Sequence, residues 1–328
     1  MNLYIDTNIY LTFYHLTNDD LDELKKLAIL IEDSQINLIL PQQTRNEFVR
    51  NRDKTIFDAI ASLKEQKISS RYPQISKGYD EYILLQDAYK NFEKQKNKII
   101  SKIETDAKDF NLNADVLTKR IFNSAKKVEI TTELIEKSKT RYDLGNPPGK
   151  GKSYGDALNW ESLLESVEYG EDLHLISDDG DFASLLDKKE LNLYLKDEWE
   201  KKKNSIIYFY KTLSEFFKSK FPDIELSDQL EKEILIKSLA TSASFSSAKS
   251  KLAKLSKYRE FTSQQLNDIV EIAISNNQLY WISNDFGVGD VLINIIQGNE
   301  EKITPESLIE FNRIYRPEVQ NEEQDLPF

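Results

Sequence analysis

Short apolar runs alternate with longer amphipathic stretches along the first two hundred residues. Leu3-Tyr4-Ile5, Ile36-Asn37-Leu38-Ile39-Leu40 and Leu173-His174-Leu175-Ile176 have the length and composition of strands buried on both faces. Leu21, Leu24, Leu27, Ala28 and Ile31 recur at helical spacing behind Asn18-Asp19-Asp20, and Phe48, Val49, Ile56, Phe57 and Ile60 follow Thr44-Arg45-Asn46-Glu47 in the same way. Val128-Glu129-Ile130 reads as a short strand leading into a helix at Thr131-Thr132-Glu133. Ser153-Tyr154-Gly155-Asp156 opens a helix that buries Ala157, Trp160, Leu163, Leu164 and Val167, and Leu191-Asn192-Leu193-Tyr194-Leu195 reads as the last strand. Strands in alternation with helices predict an α/β domain built on a parallel sheet, spanning residues 1–200.

Two departures from the alternation set the domain plan. Residues from about 61 to 127 are almost wholly helical in pattern, with breaks at Tyr72-Pro73, Gly78 and Asn111-Leu112-Asn113. That length exceeds a simple connection and predicts a helical insertion rising over the sheet. Lys201-Lys202-Lys203-Asn204 marks a boundary, beyond which residues 205–316 carry helical patterns only, beginning with Tyr208, Phe209, Phe216 and Phe217. An aromatic stripe at that spacing is expected to form a small core rather than a base-stacking platform. The Ser-, Ala- and Lys-rich stretch from Thr241 to Lys257 fits either a basic helix or a linker. Pro317–Phe328, with four acidic residues and no basic one, is expected to be disordered.

Composition narrows the chemistry. The 328 residues contain no cysteine and two histidines, His15 and His174, so thiolate sites and disulfides are excluded and an imidazole-rich zinc site is disfavoured. A catalytic metal would have to rest on oxygen ligands, as Mg²⁺ and Mn²⁺ do. No apolar run approaches the roughly 20 residues of a membrane helix, and the first run is a core strand rather than a signal peptide; a cytoplasmic protein is expected. The net charge of −12 argues against a polyanionic partner until its distribution is considered. From Lys94 to Lys152 there are 14 Lys and Arg against 8 Asp and Glu, a segment of +6 that leaves −18 elsewhere. Separated charge of this kind suits a protein that holds phosphates beside carboxylates, although solvated helices also carry such runs.

The carboxylates stand at strand ends. Asp6 follows the first strand directly, and Ser177-Asp178-Asp179-Gly180-Asp181-Phe182 follows the strand ending at Ile176. In open parallel sheets ligands bind outside the carboxyl ends of the strands. A single Asp there is accounted for by helix capping, but two acidic strand ends in one chain point to a metal site. Glu47 and Asp156 each have a competing structural reading, as the acidic partner of a capping box with Thr44 and Ser153. Gly151-Lys152-Ser153 resembles the end of a phosphate-binding loop, but Asn146 occupies the position where that motif needs Gly, and no strand precedes it.

Taken together and in order, Asp6-Thr7-Asn8, Glu47, Gly155-Asp156-Ala157-Leu158 and Ser177–Phe182 resemble the acidic motifs of the PIN-domain nucleases over roughly residues 1 to 200. The resemblance implies a parallel sheet of about five strands flanked by helices, with a cluster of Asp6, Glu47, Asp156, Asp179 and Asp181 holding one or two Mg²⁺ or Mn²⁺ ions. In a two-ion arrangement Asp6 would bridge, with Glu47 and Asp156 on one ion and Asp179 and Asp181 on the other. It further implies phosphodiester hydrolysis, with single-stranded RNA as the expected substrate, and leaves room for an inhibitory protein partner. Arg141, Lys150 and Lys152, on the approach to Asp156, are expected to bind substrate phosphates. The long insertion departs from compact members of the family. Two alternatives remain. One is a degenerate PIN-like module that binds RNA or protein; five mutually repelling carboxylates argue against it. The other is a haloacid-dehalogenase-type phosphatase, whose acid/base Asp would fall on Asn8, which cannot transfer the proton.

Overall fold

The computed structural model describes residues 1–15, 21–68, 71–149, 154–222, 224, 226–281 and 288–316. The expected cap at Asn18–Asp20, the loop residues 150–153 and the acidic tail 317–328 lie outside the described residues. The chain divides into two compact units, Met1–Ile224 and Glu225–Phe328.

The first unit is a five-stranded sheet in the order β3-β2-β1-β4-β5, with β1 Asn2–Ile5, β2 Asn37–Pro41, β3 Lys126–Val128, β4 Leu173–Ile176 and β5 Ile207–Tyr210. Every neighbouring pair is parallel, so all strands end at one edge. β1 is central, pairing Leu3 with Leu38 on one side and with His174 on the other. All four residues of β1 and of β4 are buried, as expected for strands covered on both faces. One face carries Tyr4, Leu173 and Leu175 against Trp160, Leu163, Phe182, Leu195 and Trp199. These come from α7 (Gly155–Ser166) and α8 (Leu193–Lys203) and the turn between them. α2 (Leu21–Glu32) buries the expected Leu24, Leu27, Ala28 and Ile31 and packs on α5 (Asn113–Ser124) and α9 (Leu213–Lys220).

The end of the sheet differs from the sequence expectation. Leu191–Leu195 is not a strand: α8 begins at Leu193, with the Asn192 side chain accepting from Tyr194 N. The alternating leucines mislead because the buried positions are Leu191, Leu195 and Trp199, spaced by four, while Leu193 is exposed. The fifth strand comes later, at Ile207–Tyr210, where the sequence pattern predicts helix. It is held on β4 by register pairing of His174 with Tyr208, whose rings stack at 4.8 Å, and by a 3.2 Å contact between His174 Nδ1 and the Tyr210 hydroxyl. Burial beside Lys220 pushes His174 down to about 4, so the ring is neutral and serves the core. The boundary expected at Lys201–Asn204 thus falls inside the first unit, and Phe216 and Phe217 of α9 belong to its core.

Between β2 and β3 the chain makes a helical excursion: α3 (Gln42–Glu65), a 3-10 turn at Gln74–Gly78, α4 (Asp80–Lys108) and α5. α4 lies antiparallel on α3. Arg52 Nη2 reaches Ala107 O at 2.8 Å, Lys64 pairs with Glu104 at 2.8 Å, and Lys96 Nζ reaches Gln66 O at 2.9 Å. The base is fastened by Arg52, almost fully buried, whose Nε and Nη2 each meet Asp115 of α5 at 2.6 Å. Tyr14 donates to the same carboxylate, and Phe110 covers the guanidinium at 4.0 Å. α6 (Thr132–Asp143), capped by Thr131, then packs on α7.

The second unit is helical throughout its described elements: α10 (Ser227–Ala240), α11 (Phe245–Leu255), α12 (Ser263–Ser275), α13 (Asn277–Trp281), α14 (Gly289–Ile296) and α15 (Pro305–Tyr315). Leu239, Leu252, Leu266, Ile269, Leu292, Ile296 and Phe311 form its core. The ambiguous Ser- and Lys-rich stretch is helix α11, which buries Ala248, Leu252 and Leu255. Thr262 and Gln265 close a capping box on α12.

Candidate metal centre

Asp6 sits at the exit of the central strand, with its backbone N bonded to Ile176 O at 2.9 Å. One carboxylate oxygen accepts from Thr7 N at 2.7 Å and so caps α1 (Thr7–Thr12), as the capping reading requires. The other accepts from the Ser177 hydroxyl at 2.6 Å. Capping and a chemical role are therefore not exclusive: two donors fix the orientation of a buried carboxylate at the sheet edge.

Glu47 lies one turn into α3, and the capping-box reading does not hold for it. The helix starts at Gln42 behind Pro41 with no side-chain cap, and the Thr44 hydroxyl is turned to Tyr4 and Asn159 instead. Glu47 receives the Thr7 hydroxyl at 3.2 Å and Gln43 Nε2 at 2.6 Å. Thr7 thus links Asp6 to Glu47, its N–H on one and its hydroxyl on the other. Asp156 is the second residue of α7, whose N-cap Tyr154 makes no side-chain bond; Ser153, its expected capping partner, is outside the described residues. Asp179 and Asp181 occupy the turn after β4. Asp179 N bonds the Ser177 hydroxyl at 3.0 Å, and Asp181 N bonds the Asp179 carboxylate at 2.9 Å, while buried Phe182 pins the turn. Asp178 points elsewhere, to Lys211 at 2.9 Å.

The electrostatics tie these groups together. Burial, and then the charges of Asp6, Asp179, Glu47 and Asp181, push Asp156 up to about 7. Burial pushes Asp6 up to about 6, with Asp179 and Glu47 adding and the Ser177 and Thr7 hydrogen bonds opposing. The Tyr4 phenol below is driven well above its ordinary value, first by burial and then by Asp6. Asp6, Glu47, Asp179 and Asp181 therefore all lie within electrostatic reach of Asp156, and Glu47 and Asp179 within reach of Asp6. Among the described residues, however, no three Asp, Glu or His side chains form a finished ion-holding set. The donor chemistry suits a hard cation, since every candidate ligand is oxygen. Asn8 Oδ1, two residues after Asp6, is buried with no hydrogen-bond partner among the described residues.

A repulsive cluster has a measurable cost. Both folded-state values exceed the roughly 3.9 of an unfolded Asp, so the stability contributed by the protonated forms is present below about pH 4 and is lost as pH rises through 6 to 7. Without divalent ions, Asp156→Asn should be more stable than wild type by about 2–4 kcal/mol near pH 8, with the difference shrinking towards pH 5. Paired thermal melts across that range check it; equal stability at every pH would mean that Asp156 is not forced against its neighbours.

Of the residues expected to bind substrate, Lys150 and Lys152 lie outside the described residues, and Arg141 is turned inward. Its Nε meets Glu161 at 2.7 Å, Nη2 meets Glu198 at 2.6 Å and Nη1 meets Pro147 O at 2.6 Å, with the side chain 5% exposed. It ties the cis Pro147–Pro148 loop to α7 and α8, and its burial there leaves the guanidinium turned away from solvent. The hydroxyls of Thr7 and Ser177 and the amide of Gln43 brace the carboxylates, a task that sequence reasoning does not assign to them. Only Thr7 and Ser177 carry a local signal, through their adjacency to acidic residues at strand ends.

The parallel five-stranded sheet flanked by helices defines an α/β domain, with Asp6, Glu47, Asp156 and Asp179 drawn from four separate segments of it. The chain belongs to the PIN-domain family, whose model matches residues 3–182. Comparison with curated proteins and with solved structures gives no match. PIN domains are in general nucleases that bind nucleic acid and use Mg²⁺ or Mn²⁺. No helix among the described residues is long and apolar enough to cross a membrane.

Proposed function

We propose that the protein is a divalent-cation-dependent endoribonuclease that hydrolyses single-stranded RNA at the cluster of Asp6, Glu47, Asp156, Asp179 and Asp181. The observation that carries this reading is the bracing of the acids at the sheet edge, with Thr7 shared by Asp6 and Glu47 and Ser177 by Asp6 and Asp179, while burial and then acidic neighbours push up Asp6 and Asp156. Such repulsion is costly to maintain unless a cation relieves it. A bound Mg²⁺ or Mn²⁺ would lower the pKa of a coordinated water and stabilise the leaving oxygen. Asp6, held by Thr7 and Ser177, and Glu47, held by Thr7 and Gln43, would offer braced oxygens to the cation, and Asp179, held by its turn, would offer another. Asp156 is the most perturbed of the titrating carboxylates, so it is the group whose proton must leave before cation binding. Lys150 and Lys152, six and four residues before Asp156, carry the substrate-binding role in this reading.

The test is incubation of the protein with end-labelled single-stranded RNA and DNA of one sequence, with Mg²⁺, Mn²⁺ or EDTA. Cation-dependent internal cuts in RNA are expected. Cuts in DNA alone would reassign the substrate, and binding of RNA without cuts under every condition would favour the degenerate module.

Glu47→Gln separates support of the helix from a role in the cluster. Gln retains the size of the side chain and can accept from Thr7 or Gln43, so stability should change by less than about 1 kcal/mol. RNA cleavage should fall roughly 10²-fold, on the scale of removing one transition-state electrostatic contact. Near-wild-type cleavage with lowered stability would return Glu47 to a structural role.

A further inference from the structure

The longest helix of the insertion carries charge that the carboxylate centre does not use. In α4, every carboxylate between residues 91 and 105 is already paired: Glu93 with Lys96 at 2.9 Å and Glu104 with Lys64 at 2.8 Å. Lys94, Lys98 and Lys102 are exposed and form no ion pair or hydrogen bond with any described residue. Their i, i+4, i+8 spacing places them on one face of the helix. The packed side is marked by buried Lys96 and Ile100, and at about 100° per residue the three lysines project away from it. Asn91, Asn97, Ser101 and Thr105 fill the gaps in the lysine row, so over about four turns the outward face offers hydrogen-bond donors and three positive charges with no acid among them. The row is bounded one turn before by Lys90, which pairs with Asp87 at 3.3 Å, and one turn after by the exposed Asp106.

We infer that the Lys94, Lys98 and Lys102 face of α4 is a phosphate-binding rail for the single-stranded RNA, remote from the point of cleavage. The inference rests on the reading of the chain as an RNA nuclease and adds where the strand is held outside the cluster. Successive lysines are about 6 Å apart along the axis, a step comparable to that between neighbouring phosphates of an extended strand. Because Ala107 is level with Arg52 and Lys96 with Gln66, Lys102 lies level with the residues near Ile60, roughly 20 Å along the α3 axis from Glu47. Only a strand several nucleotides longer than the cleaved step can touch both places. Contacts to phosphate carry no base information, so the rail selects for length rather than sequence.

The experiment measures binding of the inactive Asp6→Asn protein in EDTA, so that affinity is read without turnover. It compares K94Q/K98Q/K102Q on that background for an RNA of about 20 nucleotides, above single-strand site sizes of roughly 4–16, and follows cleavage of that RNA and of one of about 3 nucleotides, too short at about 6 Å per step to reach from the cluster to the rail, in the otherwise wild-type protein. The long RNA should lose affinity on the order of 10- to 100-fold at about 0.1 M salt, with a log–log salt slope shallower by about 2, or roughly 0.7 per lost contact. Cleavage of the short RNA by the otherwise wild-type protein should be unaffected by the triple substitution, whereas the KM for the long RNA should rise. A control, K237Q/K254Q/K257Q in the second unit, removes the same charge from exposed positions. Unchanged affinity for the long RNA, an equal loss of cleavage for both lengths, or an equal loss of long-RNA affinity in the control would each overturn the rail. Failure of the nuclease reading would appear separately, as absent cleavage of every RNA by the wild-type protein.

Discussion

Asp6→Asn is expected to abolish most cation-dependent RNA cleavage, by on the order of 10²–10³-fold, the scale on which single electrostatic contacts to a transition state act. The fold should survive. Asp6 leaves the central strand at the carboxyl edge, and of the five clustered carboxylates it is the most fully buried. Its position is set by Thr7 N and the Ser177 hydroxyl, one on each oxygen. Asn keeps the size and one acceptor, so the Thr7 cap can persist while the charge disappears. On stability two effects oppose. One hydrogen bond is weakened, worth about 1 kcal/mol, while burial and the charges of Asp179 and Glu47 that lift Asp6 to about 6 are relieved. Net stability near neutral pH should therefore change by less than about 2 kcal/mol. Cleavage time courses and thermal melts of the same preparation check both halves; wild-type cleavage by the Asn protein would remove Asp6 from the chemistry.

Arg141→Ala should destabilise the protein more than any substitution in the carboxylate cluster, by about 3–5 kcal/mol, because it strands buried carboxylates without their counter-charge. Glu161 and Glu198 are both little exposed. Burial alone would raise Glu198, yet its bonds from Arg141, Lys202 and Trp160 hold it below the usual carboxylate range. Removal of the guanidinium reverses that balance and also frees Pro147 O. In a unit of this size the change corresponds to a Tm lower by roughly 10 °C. Below the new transition, RNA affinity should stay within about twofold of wild type, since the guanidinium is buried on Glu161 and Glu198 rather than turned to a phosphate. Denaturant titration and binding at low temperature separate the outcomes. Unaltered stability with weakened RNA binding would restore Arg141 to the substrate wall.

The contrast between these two residues shows how far the sequence can be read. Asp6 is legible because its role is local: a short apolar strand that ends in an acid needs no distant information. The same holds for β2 and β4, whose residues are buried on both faces, and for the Leu24, Leu27 and Ile31 stripe of α2. Arg141 is not legible because its partners lie 20 and 57 residues away, and a charge in a basic segment looks like a phosphate ligand until those partners are known. The exchange of strand and helix near the end of the sheet has a similar origin. Leu191, Leu193 and Leu195 alternate as a strand would, and only Trp199, one helical turn beyond Leu195, marks the helical period. Tyr208 and Phe209 read as helix because their strand pairing depends on β4, where His174 lies more than thirty residues earlier. The order of Asp6, Glu47, Asp156, Asp179 and Asp181 is legible, but the bracing of the cluster is not. Ser177 reaches Asp6 across 171 residues, and Thr7 reaches Glu47 across 40.

The central claim is that the repelling carboxylates are a cation site, and calorimetric titration with Mn²⁺ near pH 6.5, in two buffers of different ionisation enthalpy, tests it most directly. With Asp6 and Asp156 pushed up to about 6 and about 7, a cation must displace protons. Saturable binding with release of roughly one proton per molecule is expected, lost in Asp6→Asn and with proton release reduced in Asp156→Asn. Absence of saturable binding, or binding that is identical in wild type and Asp6→Asn and independent of buffer, would contradict the account.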